Sequence, residues 1–127
     1  MKRALLLIAH GSPRPEANNP LRQAMVDIEK QKLFDLVSIA FLECNEPDID
    51  SGLEEIICRG AEEIVIVPCF LHPGNHVVND LPEILEVVMH RHPDVQLKLS
   101  PFLGSSSRIT DILALRAEDA LSKSFIE

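Results

Sequence analysis

Four short apolar runs, each followed by a longer stretch with apolar residues at helical spacing, set what this chain folds into. The runs are residues 3–9 (Arg-Ala-Leu-Leu-Leu-Ile-Ala), 36–42 (Leu-Val-Ser-Ile-Ala-Phe-Leu), 64–67 and 95–99. The first is almost uninterrupted, the pattern of a strand buried on both faces. The fourth alternates, with Gln96 and Lys98 turned from the core, and reads as a half-exposed edge strand. Between them, residues 17–32 place Leu21, Ala24, Met25 and Ile28 on one helical face, with Pro20 in the first turn. Asp50 or Ser51 is placed to cap a helix through Leu53, Ile56 and Ile57 that Gly60 ends. Residues 77–91 carry Leu81, Leu85 and Val88 before the stop at Pro93, and a last helix follows Ser105–Ser107 through Ile109, Ile112, Leu113, Leu115 and Leu121. A strand and a helix repeated four times imply right-handed crossovers, with helices on both sheet faces. The expectation is one doubly wound, flavodoxin-like α/β domain over residues 1–127, with a four-stranded, mainly parallel sheet.

Length and charge narrow the partners. A chain of 127 residues builds one core and not two. Its net charge of −8 leaves no basic surplus for phosphates, which argues against nucleic acid and against an anionic membrane surface. No apolar run reaches the length of a membrane span. The opening run stops at His10-Gly11-Ser12-Pro13 with no small-residue cleavage pattern, so it reads as a buried strand of a cytoplasmic protein rather than as a signal peptide. Cys44, Cys58 and Cys69 form an odd set with no C-x-x-C pair, as expected for free buried thiols in a reducing compartment.

Ligands of doubly wound sheets bind at the carboxyl ends of the strands. That selects three loops: residues 10–14, 43–47 and 69–76. The opposite strand ends, at Lys2, Asp35 and Glu62–Glu63, read as solvated charge. His10 alone is what a loop histidine held by a backbone partner looks like. His72 and His76 are four apart, the spacing of a helical metal chelate, but Pro73 and Gly74 between them favour a turn. Glu43 and Glu46 offer hard oxygen ligands or a proton acceptor, or Glu46 simply caps the next segment. Asn79 and Asp80 are placed to cap or to face the cleft, while His90 and His92 fall at the far end of a helix, where they suit its dipole. Ser12 lacks the Gly-x-Ser-x-Gly elbow of a hydrolase nucleophile, and His10 lacks the preceding arginine of a histidine phosphatase. No Gly-x-Gly-x-x-Gly or P-loop is present. The residues by themselves stop at a histidine-rich, acid-lined cleft suited to a divalent transition metal.

Those same residues form a recognisable set. Ala9-His10-Gly11-Ser12 with Pro15-Glu16-Ala17-Asn18, then Ala40-Phe41-Leu42-Glu43 with Glu46-Pro47, resembles the opening of the small sirohydrochlorin cobaltochelatases. Val67-Pro68-Cys69-Phe70-Leu71, Gly74-Asn75-His76-Val77, Asn79-Asp80-Leu81-Pro82, His92-Pro93, Pro101-Phe102-Leu103-Gly104 and Arg116 continue the resemblance in order along nearly the whole chain. Its middle motif, Phe-Leu-x-x-Gly-x-His-x-x-x-Asp, is the specific one.

The resemblance implies a nucleotide-independent chelatase that inserts cobalt(II) into a sirohydrochlorin-type tetrapyrrole on the route to cobalamin. Nickel(II) and iron(II) are the alternatives, and there is no cofactor beyond that substrate metal. It implies His10, His76 and Glu43 as metal ligands and catalytic groups, with His10 also taking pyrrole protons. Ser12, Arg14, Glu46, Phe70, Leu71, His72, Pro73, Gly74 and Asn75 would line the macrocycle site. Larger relatives have two such lobes around one cleft, so a homodimer is implied for a single lobe. The chemistry suits these roles, since neutral imidazoles hold a borderline ion reversibly and accept protons near neutral pH. Pro13 here stands where many members carry arginine, and His72 is an additional imidazole. Arg14, Arg108 or amides at helix starts are left to receive the substrate's carboxylates. Two other classes remain in view. A non-catalytic metal or tetrapyrrole carrier would use the same cleft, and a flavodoxin-like phosphate binder is disfavoured by the few free amides of Pro13-Arg14-Pro15.

Overall fold

In the computed structural model the described residues are 1–72, 74–124 and 126, those at 75–78 by their backbone. Among them four strands alternate with four α-helices: β1 (Arg3–Ala9), α1 (Asn19–Lys30), β2 (Leu36–Phe41), α2 (Ile49–Cys58), β3 (Glu63–Pro68), α3 (Asn75–Arg91), β4 (Gln96–Leu99) and α4 (Arg108–Ser122). The sheet order is β2-β1-β3-β4, and every pairing is parallel. β1 lies at the centre, which is why its residues Ala4–Ala9 are buried throughout. β4 is the edge, as its alternation indicates.

Strand alternation sorts the core into two layers. Leu6, Ile8, Ala40, Ile64 and Ile66 meet Leu53 and Ile56 of α2 and Leu81, Leu85 and Val88 of α3 on one face. On the other, Leu5, Leu7, Ile39 and Phe41 meet Leu21, Met25 and Ile28 of α1. Burying each large apolar side chain contributes about 1.5–3 kcal/mol, so these two layers hold the sheet. α4 does not join either layer: of its residues only Ile109 is half-buried. The expected helical cover on both faces is therefore one helix short on the α1 side. No helix among the described residues is long and apolar enough to cross a membrane.

Several boundaries differ from the sequence pattern for local reasons. A 3-10 turn at Pro15–Asn18 precedes α1, so the helix starts at Asn19. Asp48, rather than Asp50 or Ser51, caps α2, its carboxylate accepting from Ser51 N at 2.8 Å. That leaves Asp50 free to take Arg91 of α3 at 2.8 Å. α3 begins at Asn75 behind Gly74, which puts His76 in its first turn instead of in a non-helical loop. Glu63, expected to be solvated, is 6% exposed between Arg3 (2.6 Å) and Lys98 (3.2 Å). The cysteines depart from expectation too: Cys44 and Cys58 are exposed, and Cys69 is half-buried.

Candidate functional site

The carboxyl ends of β1, β2 and β3 carry the three loops, and backbone pairing continues past the strands into them. Leu42 N donates to Ala9 O at 3.0 Å, Glu43 N to His10 O at 3.1 Å and Cys69 N to Ile8 O at 2.8 Å. The loop holding His10 is thus clamped between its two neighbours. Gly11 makes that closeness possible. Its φ is +92°, and a Cβ there would lie 1.8 Å from Glu43 O. The His10 ring stands edge-on to Phe70, with centroids 5.1 Å apart and planes at 67°. Phe70 is 4% exposed and anchored in the core, so it fixes one side of an otherwise exposed imidazole.

One residue that sequence reasoning missed organises this corner. Asn45 Oδ1 accepts from Ser12 N at 2.7 Å and from Asn18 Nδ2 at 3.1 Å. Asn18 is among the few buried polar residues. Ser12 Oγ in turn accepts from Arg14 N at 3.1 Å, so the hydroxyl serves the loop's shape. Nothing local in the sequence flags Asn45, beyond its place in a loop before Pro47.

A cavity of about 440 Å3 opens here, its wall including His10, Ser12, Asn18, Leu21, Cys69 and Leu103. A larger one, about 510 Å3, lies at the opposite sheet end among Glu29, Lys32, Asp35 and Arg59 and contains none of the candidate residues. The rule for open α/β sheets favours the smaller. Leu103 reaches it because Gly104 N donates to Phe70 O at 2.9 Å. A Cβ on Gly104 would sit 2.0 Å from Leu71 O. Burial pushes the Cys69 thiol up to about 11, so it lines the cavity as a neutral group rather than as a thiolate ligand.

The remaining candidates distribute as follows. Glu43 and Glu46 are exposed on the β2 loop, the first directly beside the His10 loop. Leu71 and His72 are exposed on the β3 loop, and Gly74 N donates to His72 O at 3.1 Å. Pro73 lies outside the described residues, as do the side chains of Asn75 and His76. Among the described residues no three His, Cys, Asp or Glu side chains group closely enough to hold a metal. Arg14 is exposed and paired with Glu16 at 3.1 Å, while Arg108 is exposed at the start of α4. Asn79 and Asp80 are exposed in α3. His90 and His92 sit at the other end of α3, His92 Nε2 lying 2.8 Å from Glu54, and do not enter the site.

A family model described as CbiX matches residues 4–120. A sirohydrochlorin cobaltochelatase of Sulfolobus acidocaldarius is 34% identical over 118 residues, 93% of this chain and 92% of that relative. One of Methanococcus maripaludis is 36% identical over 84 residues, 66% of this chain but only 58% of the relative's length. Among solved structures, SirB from Bacillus subtilis with Fe3+ superposes with a TM-score of 0.81 at 28% identity, over 94% of this chain and 47% of that one.

Proposed function

The chain belongs to the CbiX family, and on that premise we propose that it inserts cobalt(II) into a sirohydrochlorin-type tetrapyrrole without nucleotide. The observation that carries this is the convergence of the His10, Glu43 and Phe70–His76 loops on one sheet end, within the region matched by the family model. His10, held by Phe70 and by the Gly11 turn, receives the ion together with Glu43 and His76. Its imidazole also takes a pyrrole proton as the ion enters the ring. Two such protons must leave, and the exposed Glu43 provides a second acceptor. Ser12, Arg14, Glu46 and residues 70–75 form the surface for the macrocycle, its carboxylates meeting Arg14 and the amides at the start of α3. The neutral Cys69 keeps a tight soft ligand out of the set, so the metal is passed on rather than trapped.

In this reading residues 1–127 act as one α/β domain, in the cytoplasm, and two copies form the cleft. The match to about half of SirB supports that count, because a second lobe of the same size completes the neighbour's length. Iron is the second metal to test, since that neighbour's structure is with Fe3+.

The test is anaerobic metallation of sirohydrochlorin, followed by visible absorbance, with cobalt, nickel and iron offered separately. Cobalt is expected to enter fastest, and His10→Ala to remove the rate enhancement. A spectrum that changes no faster with protein than without it overturns the enzyme reading in favour of a carrier.

A further inference from the structure

The chain after β2 turns through a conformation that side chains rarely adopt. Asn45 N donates to Glu43 O at 2.8 Å, with Cys44 between them at φ +67°. A bond to the second residue back, across a positive φ, closes a tight turn of the rare and strained hand. Cys44 is exposed, so the position contributes its backbone rather than its thiol. The turn presses Glu43 O against Gly11, where a Cβ would also meet Asn45 Oδ1 at 3.2 Å. It aims the Asn45 side chain at the neighbouring loop, where Oδ1 takes Ser12 N at 2.7 Å and Asn18 Nδ2 at 3.1 Å. Asn18 stands at the N-cap of α1 without a capping bond from its side chain, its amide being turned to Asn45 instead. Among the described residues the Asn45 amide nitrogen makes no hydrogen bond within the protein, so the residue serves here through its oxygen.

We propose that Asn45 is a positioning residue for His10, holding the imidazole where it meets the metal. The proposal rests on the reading of His10 as a metal ligand and deepens it. His10 is exposed, and two contacts fix it directly: its carbonyl accepts from Glu43 N at 3.1 Å, and its ring stands against Phe70. Gly11 follows at φ +92°, the most permissive backbone in the loop, so those contacts leave the chain beyond it free to swing. The bond from Ser12 N to Asn45 closes that freedom from the far side. The same turn begins at Glu43, so one short segment sets both candidate ligands relative to each other. Glu43 is its first residue, and His10 is reached through Ser12. Support of this kind matters because a ligand left to wander loses conformational entropy when the ion binds.

NMR of the metal-free protein and titration with cobalt(II), both without tetrapyrrole, test this. The His10 Cε1 proton is assigned by its absence in His10→Ala. It is expected to be displaced from the free-imidazole position by the ring current of Phe70, whose centroid lies 5.1 Å from that of the imidazole. Asn45→Ala is expected to abolish that displacement and to weaken cobalt binding roughly 10–100-fold, at a temperature where circular dichroism shows the variant folded. Asn45→Asp, which keeps an oxygen acceptor, is expected to retain both. If Asn45→Ala does not fold, Cys44→Val replaces it. A branched side chain resists positive φ, so the oxygen is moved although Asn45 remains, and Cys44→Gly is expected to match wild type. An Asn45 that only stabilised the fold would lower the melting temperature and leave the His10 signal and the cobalt affinity unchanged; that result overturns the proposal. So does Asn45→Asp behaving like Asn45→Ala. A wild type whose cobalt affinity is indifferent to His10 overturns this proposal together with the chelatase reading. One that binds cobalt through His10 but inserts none overturns the chelatase reading alone.

Discussion

Asn45 Oδ1 holds the β1 loop through Ser12 N and the approach to α1 through Asn18 Nδ2, so one carbonyl oxygen sets the corner of the cavity. Asn45→Ala leaves the buried Asn18 amide without that acceptor and is expected to cost about 1–3 kcal/mol, read from urea unfolding. An unchanged unfolding midpoint would mean that water substitutes for the lost oxygen. This residue was not legible in the sequence, because its role depends on partners 33 and 27 positions away. His10 and Gly11 were legible, since a histidine and a glycine directly after a buried strand mark a turn at the binding end of a parallel sheet. Cys44 was expected to be a buried thiol and is exposed. It sits at φ +67° on an exposed loop, a placement that composition does not reveal.

At the scale of elements, Glu63 ties three strands together at the end remote from the site. Its carboxylate at the start of β3 meets Arg3 of β1 and Lys98 of β4, and those hydrogen bonds, Arg3's first, hold it below the ordinary value of 4.5. A carboxylate lowered in the folded state binds fewer protons there than in the unfolded chain. Its stabilising contribution is therefore complete above about pH 4.5 and is lost as pH falls through the lowered folded value. Melting temperatures measured across that acid range are expected to fall more steeply for wild type than for Glu63→Gln. Parallel slopes would show that the ion pairs add nothing. Asp50 and Glu54, lowered in the same direction by Arg91 and His92, supply the background common to both proteins. The pairing of α3 with α2 through these charges was not readable in advance, since it turned on which acid became the α2 cap.

The whole molecule leaves α4 exposed and one sheet face a helix short, and the proposed pairing of two copies makes its stability depend on concentration. If two copies form the cleft, as proposed above, unfolding is coupled to dissociation. A tenfold rise in protein concentration is then expected to raise the melting temperature by about 2–4 °C, measured by calorimetry. A melting temperature independent of concentration would place the folded unit in one chain. The order of elements and the parallel central sheet were determined by the sequence itself. They follow from local periodicity, two for strands and 3.6 for helices, and from the fixed hand of the crossover. Tertiary structure alone decided that Asn45 organises the His10 loop, that Glu63 is buried among cations and that α4 leaves the sheet. Each of these depends on which distant residues share a space, and spacing along the chain carries no record of that.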